Sequence, residues 1–243
     1  MTQRVAGSTV FLSGANRGLG RVLAEQLLAE DVARLYAAAR NPDSLGEVVA
    51  LDPERVIPVG LDTTDHGAVD AAAKLAADTT LLINNAGAAA FAPGLTAPPD
   101  DVAREMAINF GGTYAMVRAF VPVIEGNGGG AIVNVLSMAG LAAIPPLTGY
   151  SASKAAAHSM TQAVRAELRP RGVNVHGVYP AGIGTEMLAH PSIPHSSPEE
   201  VAAGILAGVE AGDEDIFPCA LSRAESEVWW ADPKGLERQH TGH

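Results

Sequence analysis

The chain has 243 residues, of which 47% are hydrophobic and 18% charged, enough apolar material for one sizeable core and far from the composition of a disordered chain. The net charge of −11 argues against a nucleic-acid partner, and the single cysteine, Cys219, excludes an internal disulfide and a structural zinc site. There is no run of about 18 apolar residues and no basic, then apolar, start of the signal-peptide kind, so the expectation is one cytoplasmic domain over 1–243 with no membrane partner.

In chain order, short β-rich runs alternate with segments of helical period. Strands are predicted over 9–12, 35–39, 56–60, 80–83, 131–136, 173–178 and 215–217, and helices over 19–30, 65–77, 100–124, 151–169 and 198–211. Several strands are unbroken apolar runs, as required of strands covered on both faces. The fold class that follows is α/β: a single doubly wound Rossmann-type domain, with a seven-stranded, mostly parallel sheet and helices on both faces. Val102, Met106, Phe110, Val117 and Val121 are expected to form the buried stripe of the third helix. A Pro-rich stretch inside 186–200 reads as a loop over the sheet edge, a common place for substrate contacts. Beyond Ser222 an amphipathic piece carries Trp229 and Trp230, expected to pack on the domain or on a neighbouring subunit.

The first strand runs into Ser13-Gly14-Ala15-Asn16-Arg17-Gly18-Leu19-Gly20 and then a helix. Glycines there let backbone approach a pyrophosphate, and the helix start offers unpaired N–H groups with partial positive charge. The spacing Gly-x-x-x-Gly-x-Gly differs from the general dinucleotide fingerprint. It resembles instead the cofactor turn of the short-chain dehydrogenase/reductase family, Thr-Gly-x-x-x-Gly-Ile-Gly, with Ser13 for Thr and Leu19 for Ile. The similarity extends over nearly the whole chain.

Dinucleotide folds place an acid for NAD, or an arginine for the 2′-phosphate of NADP, about 20 residues beyond the turn. The second strand ends without an acid, at Arg40, and Arg17 offers a second guanidinium, so NADP(H) is the expected cofactor. The resemblance implies that Asp62 accepts from the adenine amino group, with Thr63 beside it. It also implies that Asn84-Asn85-Ala86-Gly87 matches the family's Asn-Asn-Ala-Gly segment, where the backbone passes the cofactor and the first asparagine also stabilises the sheet. Tyr179-Pro180-Ala181-Gly182-Ile183-Gly184-Thr185 resembles the nicotinamide-binding segment, with alanine where the family has glycine after the proline. Pro180, Gly182, Ile183 and Thr185 are the contacts implied.

Tyr150 and Lys154 stand four apart, on one helical face. With Ser137 after the fifth strand and Asn109 in the preceding helix, they match the family's Asn, Ser, Tyr and Lys tetrad. A carbonyl accepting hydride builds charge on oxygen and needs a proton donor and a further hydrogen bond. Tyr150 is the expected donor, and Lys154 the cation expected to favour its phenolate. By resemblance Lys154 also holds the nicotinamide ribose, Ser137 the substrate oxygen, and Asn109 a water of a proton relay. No metal is needed, and the seven histidines show no zinc-like pairing.

Ala88, Phe91, Met138, Ile144, Leu147 and Met187 are the expected substrate contacts, which suits a small hydrophobic carbonyl or alcohol; His190 and His195 read as exposed loop residues. The resemblance implies a homodimer or homotetramer through the helices carrying Asn109 and Tyr150, where Ala155, Ala156, Ser159 and Ala163 permit close approach. The function expected is an NADPH-dependent carbonyl reductase or alcohol dehydrogenase. The alternatives are a 3-oxoacyl thioester reductase and, from another class, a non-catalytic NADP(H) sensor.

Overall fold

The computed structural model describes residues 4–186, 188 and 194–242. In its amino-terminal half β1 (Thr9–Ser13), α1 (Gly18–Ala29), β2 (Arg34–Ala39), α2 (Gly46–Leu51), β3 (Val56–Gly60), α3 (His66–Leu75) and β4 (Leu81–Asn84) alternate. Then follow α4 (Pro99–Met106), α5 (Thr113–Gly126), β5 (Gly130–Val135), α6 (Thr148–Leu168), β6 (Val173–Val178), α7 (Pro198–Ala211), β7 (Asp215–Ile216), α8 (Ala220–Ala231) and α9 (Pro233–Thr241). The strands form one sheet in the order β3-β2-β1-β4-β5-β6-β7, and every pairing is parallel. Strand order reverses between β1 and β4. There the following connections leave to opposite sides and open a crevice at the carboxyl edge.

Side chains alternate across the sheet. Val10 and Leu12 of β1 join a core with Leu23 and Leu27 of α1 and Ile205 of α7, while Phe11 joins the opposite core with Val69 of α3 and Phe120 of α5. A third cluster, around Leu136, Met138, Ala157, Tyr179 and Leu236, seats the carboxyl-terminal helices against the end of the sheet. Trp229 packs against it, whereas Trp230 stays 65% exposed.

The helix expected over 100–124 is not uniform. Between α4 and α5 residues Ala107–Gly112 form a π turn, whose wider winding rotates one half of the apolar stripe relative to the other. Val117 and Val121 are buried as expected, but Met106 is 37% exposed, and Glu105 and Asn109 face inward instead, each 1% exposed. By length and composition Pro99–Gly126 would cross a bilayer, yet Met116, Val117, Phe120, Val121 and Ile124 are spent on the core against the sheet.

Gly20, in the first turn of α1, has no room for a side chain, because a Cβ would run into the Gly14 carbonyl oxygen and crowd Asn85 Nδ2. Gly20→Ala is therefore expected to lower stability by about 2 kcal/mol, or roughly 5 °C in Tm. Thermal unfolding of the two proteins checks this.

Candidate active site

The crevice between β1 and β4 is laced by polar groups. Ser13 Oγ accepts from the backbone N–H groups of Asn85 (3.0 Å) and Ala86 (3.1 Å). Asn85 Nδ2 donates back to the carbonyls of Ser13 and Gly14, each at 3.1 Å. The first two bonds explain why a hydroxyl is needed at Ser13, and all four tie the glycine-rich turn to the end of β4. Beneath them Asn84 donates to Asn134 Oδ1 at 2.8 Å, and Asn134 donates to Thr161 Oγ1 at 3.0 Å, joining β4, β5 and α6.

At the start of α1, Arg17 is the extended N-cap residue, with no side-chain cap and no acid in the first turn. The first N–H groups of the helix, from Gly18, Leu19 and Gly20, are thus left to a ligand, and an anionic pyrophosphate fits that donor set. Leu19 itself points into the core, while Asn16 lies partly buried in the turn. Thr185 approaches Gly18 from the opposite wall: a Cβ on Gly18 would lie 3.4 Å from its methyl. At the adenosine end Leu61 N donates to Ala39 O at 2.9 Å, which sets Asp62 beside Arg40. Asp62 commits Oδ1 to Thr64 N (2.9 Å) and Thr64 Oγ1 (2.7 Å). These bonds, with the charge of Arg40, hold its carboxyl below the usual range. Thr63 is buried behind it. Arg17 spans the mouth of the crevice to Glu186 at 3.1 Å, both side chains largely exposed.

The four residues of the expected tetrad converge. Ser137 accepts from Ala139 N at 3.1 Å, capping the short turn Met138–Gly140, its hydroxyl donates to Pro180 O at 3.5 Å, and its proximity favours the ionised form of the Tyr150 phenol. Lys154, one turn along α6, is 5% exposed and donates from Nζ to Val135 O at 2.7 Å. Its Nζ stands 5.6 Å from the centre of the Tyr150 ring. A Cβ on Gly87 would lie 3.2 Å from Asn109 Oδ1 and 3.8 Å from Lys154 Nζ, so that segment borders both.

Two expectations change. Burial pushes the Tyr150 phenol up, against a lowering by Ser137, and Glu105 adds a smaller rise. The expected pull of Lys154 toward phenolate does not prevail over the desolvation of the phenol, and burial brings Lys154 itself down to about 8. Asn109, expected to place a water, uses its side chain on protein: Oδ1 accepts from Ala88 N (2.8 Å), and Nδ2 donates to Ala88 O (2.8 Å) and Ser153 Oγ (2.9 Å).

The remaining expected residues divide. Pro180 is buried, and its carbonyl accepts from Met138 N at 3.0 Å. Gly182 and Gly184 bracket Ile183 through bonds of 3.0 Å each to Ser196, closing the base of the substrate loop. Ala88 and Phe91 lie along the strap after β4, Phe91 39% exposed. Met138 is 1% exposed within the third core cluster, so it backs the pocket rather than lining it. Leu147 is mostly buried and Ile144 half-buried. His195 sits against Gly184 at the loop base, and Met187 and His190 lie outside the described residues.

Sequence reasoning missed two features. Glu105 hides inside a helix whose phase the π turn shifts. In α9, His240 Nδ1 meets Ala142 O at 2.9 Å and clasps the loop after β5, a contact that only long-range packing creates.

The short-chain dehydrogenase family model matches residues 8–193, and the chain belongs to that family of nicotinamide-dependent oxidoreductases. A short-chain dehydrogenase from Burkholderia cenocepacia J2315, solved in complex with NADP, is 39% identical, with 98% of each chain covered and a TM-score of 0.91. A sorbitol dehydrogenase of Cereibacter sphaeroides is 29% identical over 93% of each chain. A 2-dehydro-3-deoxy-L-rhamnonate dehydrogenase (NAD(+)) of a Sphingomonas species is 36% identical over 76% of each.

Lys154 carries a cost to stability. Its pKa falls from 10.5 in the unfolded chain to about 8 in the fold, so the unfolded state binds more protons between those values and stability rises with pH across that window. Lys154→Met is expected to raise Tm at pH 7, with the advantage shrinking by pH 10. Melting curves at the two pH values, without added nucleotide, check the sign.

Proposed function

We propose that the protein is an NADPH-dependent oxidoreductase that reduces a ketone or aldehyde to the alcohol, with Tyr150 as the proton donor. The observation that carries this reading is the convergence of Ser137 and Lys154 on Tyr150, with Lys154 Nζ 5.6 Å from the phenol ring, at the edge of an anion-receptive crevice. The crevice holds the cofactor through the first N–H groups of α1, the 85–87 segment, Asp62 and the loop at 180–185. When bound, the reduced nicotinamide supplies a hydride to the carbonyl carbon.

The chain's own residues do the rest. Ser137 and Tyr150 hold the substrate oxygen between two hydroxyls. Tyr150 then passes its proton to that oxygen as charge develops, and is reprotonated from solvent. Its raised pKa extends upward the pH range in which the phenol is protonated, the form that reduction requires. Lys154 orients the nicotinamide ribose and leaves a positive charge near the phenolate that forms.

Arg17 and Arg40, with no acid at the end of β2, support NADPH, as does the NADP bound by the Burkholderia relative. Ala88, Ala90, Phe91, Ile144 and Leu147 support a small hydrophobic substrate, although relatives are named for a polyol and a sugar acid, so such compounds belong in the test panel. Along α4 and α5 an outward ladder of Met106, Phe110 and Tyr114 ends in Arg118 over the Tyr114 ring. With exposed Ala155, Ser159 and Ala163 on α6 it supports a homodimer or homotetramer. We place the enzyme in the cytoplasm.

Tyr150→Phe should cut kcat by on the order of 10²-fold or more while leaving NADPH affinity nearly unchanged, as read by NADPH oxidation across ketones, aldehydes and sugars and by NADPH titration. Unimpaired turnover would reject the mechanism. Arg40→Asp should lower the NADPH to NADH ratio of kcat/KM by roughly tenfold or more, the loss of one charge-assisted contact; an unaltered ratio removes Arg40 from the phosphate site.

A further inference from the structure

Glu105 is a carboxylate 1% exposed, beside a tetrad that has no use for it by resemblance. It lies one helical turn before Asn109, on the same inward face of the α4 and π-turn segment. The two side chains work on the same strap: Asn109 pins Ala88 through both its N–H and its carbonyl, and Glu105 Oε1 accepts from Ala90 N at 2.6 Å. The other oxygen, Oε2, lies against Gly149, where a Cβ would collide with it, so glycine directly before Tyr150 is what admits the carboxylate. Glu105 therefore touches both the strap expected to border substrate and the first turn of α6.

We propose that Glu105 is a positioning residue of the reaction, tying the substrate strap at Ala90 to the Gly149–Tyr150 turn and placing a negative charge beside the proton donor. This rests on the reading of Tyr150 as that donor. A buried carboxylate lodged against Gly149, the residue before the phenol-bearing Tyr150, opposes phenolate, and Glu105 does raise the Tyr150 pKa.

Among the described residues the other groups facing Tyr150 are few. Lys154 stands on its own helix, neutral Ser137 follows β5, and neutral Asn109 lies in the π turn. The strap of residues 88–92 carries no charge. α9 brings Lys234 and Glu237 to the groove beside Thr148, paired with each other. Glu105 is thus the negative group among the described residues that adds to the effect of burial on Tyr150. It extends the pH range over which Tyr150 is protonated and able to donate.

The test uses the whole protein, NADPH with a ketone for reduction, and NADP+ with the matching alcohol for oxidation. Turnover by the wild type and its loss in Tyr150→Phe establish the underlying reading; without them that reading fails, and Glu105 is not the cause. Glu105→Gln keeps an acceptor for Ala90 N but removes the charge. Reduction should then fall off, and oxidation rise, at a pH about one unit lower than in the wild type, with ketone KM within about twofold. Glu105→Ala removes the tether as well, and should also raise ketone KM by roughly fivefold or more. Glu105→Asp should return the pH limbs toward the wild type. Melting curves and NADPH titration accompany each variant. Wild-type pH limbs in a folded Glu105→Gln overturn the proposal even though Tyr150 is essential. If Glu105→Gln does not fold, Glu105→Asp decides: its carboxylate is drawn back from Ala90, so KM should rise by about threefold or more, and wild-type KM and limbs together overturn the proposal.

Discussion

The site depends on one constraint of the parallel sheet, the reversal of strand order between β1 and β4. Neighbouring parallel strands whose connections leave on opposite faces cannot both be covered at their carboxyl ends, so a cleft opens there whatever the side chains are. What the sequence adds is the polar lacing that keeps the cleft in shape. Asn85 and Ala86 at the end of β4 donate four hydrogen bonds to Ser13 and Gly14 of the glycine-rich turn. Asn84, Asn134 and Thr161 continue the same line of bonds into α6. The phosphate turn and the catalytic helix are therefore parts of one polar framework.

Within that framework two buried charges stand close to the reacting groups, Lys154 and Glu105. Neither improves the stability of the fold: a buried ammonium with one carbonyl partner and a buried carboxylate beside a phenol both lose hydration. Each is tolerated through backbone contacts that fix its position, Val135 O for Lys154 and Ala90 N for Glu105. The two charges act oppositely on Tyr150. Burial dominates both, which leaves the phenol protonated and the lysine near neutrality in pKa.

Much of this was legible in the chain. The alternation of apolar runs and helical periods located all seven strands, with ends off by a residue or two, because strands covered on both faces must be continuously apolar. The turn at 13–20 and the four residues Asn109, Ser137, Tyr150 and Lys154 were visible because their chemistry demands specific side chains at set spacings. The stripe through Val102, Met106 and Phe110 was misread as core. A period of 3.6 cannot reveal a π turn, and before and within that turn the inward face belongs to Glu105 and Asn109. Met138 was taken for a pocket wall for a similar reason: its place after Ser137 says nothing of the cluster it packs into.

The sequence by itself determined the fold class and pointed to the glycine-rich turn and to the proposed proton donor, since these are read from local spacing, side-chain chemistry and family resemblance. Only the tertiary structure decided the state of those groups. Whether Tyr150 is raised or lowered, what Asn109 bonds, and where a carboxylate 45 residues upstream comes to rest all depend on desolvation and on contacts between segments distant in the chain. Those terms act through space, and a linear pattern carries no measure of them.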